Sequence, residues 1–356
     1  MLILIFSYKQ HYSKSMISIE PSENDYSELI NKISETFFHG RQRAAAAVNS
    51  QIIDTYWHIG QYIVDFEQGG KSKAEYGKAL LKNLARDLTL LHGKGFSVSN
   101  IYLMRQFFVK YPIFQTMSGK FKNLSWSHFG ELLTIDDDTE RQFYEIQCQA
   151  ENWNVRELKR QKNTSLFARL ALSTNKEGIL ELSRKGHQIS QPEDILKEPF
   201  VFEFLKIPEN THLSENDLEK RLIDNLQSFL LELGKGFTFV GRQYRITLDN
   251  TNYYVDMVFY HRILRCFVLV DLKIRKVKHH DIGQMNMYMG YFANEQNIEG
   301  DNPPIGIVLT QEKDDLLVEY ATYGMSSQLF VSKYQLYLPN KEELRNLIEQ
   351  QLQNPE

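Results

Sequence analysis

Two apolar runs in the second half of the chain each hold an acid. The run from Tyr253 to Tyr260 contains Asp256, and the run from Phe267 to Lys273 ends on Asp271, Leu272 and Lys273. A lone carboxylate among strand residues is costly unless something binds it. Side chains alternate along a strand, so Asp271 and Lys273 share a face while Leu272 points into the core. Two carboxylates and a lysine on one sheet face suit a hard divalent cation, Mg²⁺ or Mn²⁺, which takes carboxylate and carbonyl oxygens and keeps several waters. Asp256, Asp271 and the Leu272 carbonyl would hold it. A metal there would polarise a phosphodiester and acidify water, with Lys273 orienting that water or countering charge on the phosphorus. A buried Asp–Lys ion pair without metal accounts for Asp271 and Lys273 alone; it accounts less well for Asp256 at this spacing.

The surrounding pattern must position these groups. Strands are predicted over 237–244, 253–260, 266–272 and 305–310, with a helix over 283–292 between the last two. That helix carries Gln284 and Tyr288 one turn apart. One helix is predicted over 214–233, capped by Ser214 and stopped at Gly234; it places Glu219 as an outer ligand. A short strand near 335–338 and a closing helix over 341–352 complete a mixed α/β domain.

The first half reads as helical. Apolar spacing predicts one helix over 26–66, ended by Gly69 and Gly70, and another over 76–91. Gly93 and Gly95 follow, and Ser97-Val98-Ser99 offers an N-cap for a helix beginning near Ile101, which ends at Tyr111 and Pro112. Helix, glycine turn, capped second helix is the outline of a helix-turn-helix, and equally of an ordinary αα-corner. In the former, Ser99, Asn100, Arg105, Gln106 and Lys110 are the polar groove candidates. Another helix is predicted over 155–172. Its Arg156, Lys159, Arg160, Lys162 and Arg169 fit a solvated face or, alternatively, a phosphate-contacting one. Residues 1–21 read as a tail or mis-called start before Met16. The domains are then 22–185 and 196–356, joined by a linker over 186–195.

Length and composition agree. The 356 residues, 42% hydrophobic and 24% charged, have the make-up of a globular chain of two or so domains. The net charge of −4 is uneven. Residues 22–185 hold 22 basic against 19 acidic side chains, and residues 186–356 hold 17 against 25. A polyanion would therefore meet the first part, or a local patch such as Arg275, Lys276 and Lys278 just after Lys273. Two unrelated cysteines exclude a disulfide framework and fit a cytoplasmic location. No apolar run is long enough to span a membrane.

The spacing of Asp256, Asp271 and Lys273 resembles the PD-(D/E)XK nuclease fold, and in particular the YhcG-like family. The matching residues include Phe239 to Arg245, Tyr254 to Asp256, Val270 to Lys273 and Gly283 to Asn286. In the first half they include Tyr111, Pro112, Leu124 to His128 and Trp153 to Leu158. The resemblance runs from about Tyr26 to Leu347. It implies an α+β protein, with a helical, helix-turn-helix-like N-terminal domain and a restriction-endonuclease-like C-terminal domain. It implies metal acids Asp256 and Asp271, catalytic Lys273, support from Glu219 and Gln284, and Arg242 and Gln243 beside the site. Two departures stand out: Val255 replaces the proline of the family name, and the middle acid is Asp rather than Glu. The expected activity is endonucleolytic cleavage of DNA, with Asn100 and Arg105 among the DNA contacts. RNA cleavage shares every residue. The alternative is a DNA- or protein-binding module of a defence or mobile-element system, with weak or partner-dependent cleavage. A homodimer is the prior, because one active site serves one strand.

Overall fold

The computed structural model describes residues 23–68, 79–112, 124–173, 176–208, 211, 213–325 and 328–353. The expected tail, the stop at Gly69 and Gly70, and the first residues of the helix expected from Tyr76 lie outside them. The chain forms two compact units, 1–52 and 53–356. Among the described residues, no helix is long and apolar enough to cross a membrane.

Helix α1 runs Glu23–Gln68, α2 Leu80–His92 and α3 Val98–Lys110. Ser97 caps α3 as its type predicts, accepting from the Asn100 N–H at 3.2 Å. Helices α4 (Trp126–Leu132), α5 (Asp138–Ala150), α6 (Val155–Asn163), α7 (Leu166–Leu172) and α8 (Lys176–Lys185) follow. Their core gathers Trp57, Phe107, Phe129, Phe143 and Tyr144. Trp57 donates to the Tyr111 carbonyl at 2.7 Å, so its ring is a packing anchor.

The helix expected over 155–172 breaks at Ser165, whose φ of 55° is left-handed. The break turns α7 so that Arg169, fully buried, meets Glu232, also fully buried. Arg160 holds Glu203 at 2.8 Å and Glu232 at 3.0 Å. These two arginines therefore form neither a solvated nor a phosphate-contacting face. Helical amphipathicity cannot distinguish an exposed cation from one buried on a distant carboxylate.

The remaining elements are β1 (Phe200–Val201), α9 (Glu215–Asp224), α10 (Leu226–Leu233), β2 (Phe237–Leu248), β3 (Thr251–His261), β4 (Cys266–Lys273), α11 (His279–Tyr291), β5 (Ile305–Thr310), α12 (Asp315–Thr322), β6 (Leu329–Gln335) and α13 (Lys341–Gln353). The single helix expected over 214–233 is two, divided at Asn225, whose side chain bonds back to the Arg221 carbonyl at 2.9 Å. The last strand lies six residues earlier than the 335–338 expectation. Strand β1 escaped notice because two residues are too few for a period. Within 186–195, Pro192–Ile195 form a 3₁₀ turn whose Ile195 joins the sheet's core.

The sheet order is β1-β6-β5-β4-β3-β2. Strands β4, β5, β6 and β1 pair in parallel, while β3 and β2 are antiparallel to their neighbours. The α+β architecture with a mixed central sheet is thus as the sequence implied. One sheet face packs Val268, Val270 and Leu272 with Leu218, Leu222 and Phe229. The other packs Leu269 and Val308 beneath Ile282, Met285 and Tyr288 of α11. Helix α11 lies so close that a Cβ on Gly306 would come within 2.6 Å of the Met285 side chain. Asp271 and Lys273 continue the Leu269 register at the C-terminal end of β4.

Candidate active site

The antiparallel register of β3 and β4 ends at Met257 opposite Val270. One step further along each strand stand Asp256 and Asp271. Hydrophobic pairs drive the strands together up to that point, and the two acids emerge where the ladder stops. The two carboxyls lie close enough that each shifts the other's proton affinity. Asp256 also accepts from the Leu272 N–H at 2.8 Å. Lys273 lies 2.5 Å from Asp271 and donates to the Leu272 carbonyl at 3.2 Å, with Glu215 at 3.9 Å.

Burial dominates the electrostatics. Asp271, Lys273 and Glu219 are all less than a tenth exposed. Burial and then the Asp256 charge push the Asp271 carboxyl well above the usual carboxylate range, against the pull of Lys273. Burial also raises Asp256, opposed by the Leu272 N–H and by Lys273. Burial lowers the Lys273 ammonium, but the charge and hydrogen bond of Asp271 outweigh it, so the net movement is upward.

Glu219 on α9 is tied in through Gln243. The Gln243 amide donates to Glu219 at 2.6 Å and to Asp256 at 3.2 Å. Its backbone φ of 46° is left-handed, an uncommon conformation for a residue with a Cβ. Sequence reasoning placed Gln243 among DNA contacts; the structure gives its amide two carboxylates. Side-chain pattern carries no signal for a positive φ. Burial likewise raises Glu219, against the hydrogen bond from Gln243.

Does this donor set fit a hard cation? Its ligands are all oxygen: two carboxyls, a backbone carbonyl and an outer glutamate. The raised carboxyls are those of an acid cluster short of positive charge, which a cation would supply. The residues fit. Among the described residues no three His, Cys, Asp or Glu side chains converge by themselves. Glu219 stands one amide away from the aspartates.

Gln284 does not reach the acids directly. Its amide donates to Tyr288, whose hydroxyl donates to the Tyr254 carbonyl at 2.9 Å, two residues before Asp256. The pair thereby clamps α11 to β3.

The remaining DNA candidates divide. Arg275 is held by Asp281 through bonds of 2.7 and 2.9 Å, and Lys276 by Asp314 at 2.9 Å. Arg105 is paired with Glu67 at 2.7 Å. Asn100 accepts from the Trp126 indole at 2.7 Å and donates to the Gly95 carbonyl at 2.6 Å. Lys110 reaches the Leu133 and Ile135 carbonyls. Arg242 and Lys278 are exposed.

The chain resembles known proteins along most of its length. A family model described as the YhcG PDDEXK nuclease domain matches residues 193–351. Another, the DUF1016 N-terminal domain, matches residues 32–169. The protein YhcG of Escherichia coli (strain K12) is 35% identical over 348 residues, covering 90% of this chain and 92% of that one. Among solved structures, a repair endonuclease from Pyrococcus abyssi is 19% identical with a TM-score of 0.26, over 37% of this chain and 50% of that one. The EndoMS–dsDNA2 complex is 16% identical with a TM-score of 0.25, over 38% and 51%. The chain spans only about half the length of these two, an overlap too partial to argue from. The carboxylate pair, its lysine and this near end-to-end likeness agree, and the chain belongs to the YhcG family, with a DUF1016 N-terminal domain and a PDDEXK nuclease domain.

Proposed function

We propose that this protein is a metal-dependent endonuclease acting on DNA, with Asp256, Asp271 and Lys273 as its catalytic set. The observation that supports it is two adjacent carboxyls, Asp271 buried and Asp256 half-buried, with a buried lysine 2.5 Å from Asp271. Simple stability would not gather these groups, since burying an acid pair against one cation is costly.

Asp256, Asp271 and the Leu272 carbonyl would hold a Mg²⁺ or Mn²⁺ ion, with Glu219 as an outer ligand. When bound, such an ion polarises the phosphodiester and makes water more acidic. The protein's own groups do the rest. Asp271 fixes the Lys273 ammonium, which neutralises charge growing on the phosphoryl oxygens and orients the attacking water. In-line displacement leaves a 5′-phosphate and a 3′-hydroxyl. Gln284, through Tyr288 and the Tyr254 carbonyl, holds the strand that presents Asp256. Arg242 and Lys278 offer phosphate contacts at the rim, and residues 22–185 act as the DNA-binding-like domain beside a nuclease domain over 196–356. Two buried, unbridged cysteines suit a cytoplasmic setting.

The test is cleavage of labelled duplex, single strand, branched junction and RNA with Mg²⁺, Mn²⁺ or EDTA, beside Lys273→Ala. Metal-dependent cutting of DNA that disappears in the variant is expected. Cutting of RNA alone would move the substrate. No cutting of any substrate, with DNA binding retained, would overturn the enzyme reading in favour of a binding module.

A further inference from the structure

The segment of α1 from residue 26 to residue 52 carries an apolar stripe left open to solvent. Tyr26, Ile30, Ile33 and Phe37 follow one another at spacings of four, three and four, and each is 45–65% exposed. Gly40, Ala44, Ala47 and Gln51 continue the same line. This is the 3.5-residue repeat of a coiled-coil seam. Its first half is bulky and its second half small.

Gly40 is the telling position. Glycine inside a helix costs about 1 kcal/mol relative to alanine. A Cβ on Gly40 would meet nothing within 4 Å. Among the described residues nothing requires glycine there.

We propose that this segment pairs antiparallel with the same segment of a second copy, about a two-fold axis between Phe38 and His39. In that register Phe37 faces Gly40 of the second copy, Ile33 faces Ala44, Ile30 faces Ala47, and Tyr26 lies over Gln51. Every layer joins a first-half residue to a second-half one, and three of them set a bulky side chain on glycine or alanine. Parallel pairing would stack Phe37 on Phe37 and Ala44 on Ala44, overfilling one end and leaving voids at the other. The stripe with its flanking Leu29 and Val48 presents roughly 600 Å² of apolar surface per copy, taking large side chains at about 150–250 Å² each when fully buried. That approaches the ~800 Å² per partner of a stable interface. An isologous helix pair thus covers the stripe and explains the glycine.

Cysteine cross-linking of the full-length protein tests the register. Cys148 and Cys266 are buried and do not interfere. Ile30→Cys with Ala47→Cys is expected to give a covalent dimer under mild oxidation, reversed by reductant; the two sites are too far apart on one helix to bridge within a copy. Ile30→Cys alone, and Ile30→Cys with Ala44→Cys, are expected to stay uncrosslinked. By light scattering, wild type should show twice the 41.8 kDa protomer mass. Ile33→Glu should show the protomer mass with an unchanged helical spectrum. Cross-linking by Ile30→Cys alone would mean parallel pairing and overturn the proposal. A wild-type protomer mass at high micromolar concentration, with no cross-link in any variant, would overturn it as well.

Discussion

The Gln243 amide reaches the Glu219 carboxylate across 2.6 Å, from a backbone held at φ 46°. A left-handed non-glycine residue costs of order 1–3 kcal/mol and persists where its surroundings over-determine it. Here the surroundings are the strand carrying Asp256 and the helix carrying Glu219. The strain fixes an amide between an outer acid and an inner one, and so sets the spacing of the donor set.

Replacing Gln243 with glycine removes the strain and the side-chain bonds together. Glycine adopts this φ freely, and its extra unfolded-state entropy takes back up to about 1 kcal/mol. The two hydrogen bonds lost at Glu219 and Asp256, about 1 kcal/mol each, offset the rest of the relief, so the variant is expected to lie within about 1 kcal/mol of wild type by urea denaturation. Cleavage should fall at least tenfold, because Glu219 and Asp256 lose their bridge. A stability loss above 2 kcal/mol with full activity would show the link to be purely structural.

Asp256→Asn should stabilise the metal-free protein while abolishing cleavage. Asparagine keeps an acceptor for the Leu272 N–H and removes a charge beside Asp271, losing only the 3.2 Å bond from Gln243, and the Asp271–Lys273 pair remains. The sign of the pH effect follows from the raised Asp271 carboxyl. A carboxyl lifted in the folded state binds protons more tightly there, so stability is greatest below its unfolded value near 4 and declines as pH rises toward about 7. Removing the Asp256 charge should flatten that decline and raise stability at pH 7 by about 1 kcal/mol. Urea melts at pH 5 and 8 without metal provide the check; an undiminished slope would contradict it.

Divalent metal should stabilise wild type and leave Asp271→Ala unchanged. At 100 times its dissociation constant, Mg²⁺ or Mn²⁺ should add about 2.7 kcal/mol to wild type and close to nothing to Asp271→Ala. Equal stabilisation of both would place the ion elsewhere.

The buried Arg169–Glu232 pair governs acid stability. Burial would raise Glu232, but Arg169, Lys197 and Arg160 outweigh it and hold the carboxyl down at about 2. A depressed carboxyl contributes stability above its unfolded value near 4.5 that is lost as pH falls through about 2. His187 adds to the loss: burial and then Lys197 hold it down at about 4, so the unfolded chain takes the proton first as pH drops from 6.5. Glu232→Gln leaves the buried Arg169 and Lys197 without their carboxylate, while Arg160 keeps Glu203, and should cost about 3–5 kcal/mol. His187→Gln should shallow the loss between pH 6.5 and 4. A Glu232→Gln protein as stable as wild type would refute the assignment.

These groups mark the limit of what the sequence reveals. Asp256, Asp271 and Lys273 stood out because a charge inside an apolar strand is conspicuous at short range. Ser214, and a cap within Ser97–Ser99, are readable for the same reason: the chemistry is local. Arg169 and Glu232 lie 63 residues apart and look like ordinary helix-surface charges until the fold joins them. Gln243 was hidden differently, since its role depends on a backbone angle. The breaks at Ser165 and Asn225 went unseen because neither position carries glycine or proline, and apolar spacing continues across both.

The basic residues around the site should contribute unequally to DNA binding. Arg275 and Lys276 are already neutralised by Asp281 and Asp314, whereas Arg242 and Lys278 are exposed. A cation that contacts phosphate releases about one counterion, so its loss lowers the slope of log K against log salt by about 0.9. Arg242→Ala and Lys278→Ala are each expected to show that reduction. Lys276→Ala should change the slope by less than half as much, because its ammonium is held on Asp314 and not on phosphate. Arg275→Ala should lower stability instead, through the buried Asp281 it leaves behind. Arg105→Ala should likewise weaken the hold on Glu67 and leave the salt slope nearly unchanged. Fluorescence anisotropy at several salt concentrations with a metal-free duplex measures all five, and a full unit lost at Lys276 or Arg105 would restore them as phosphate contacts.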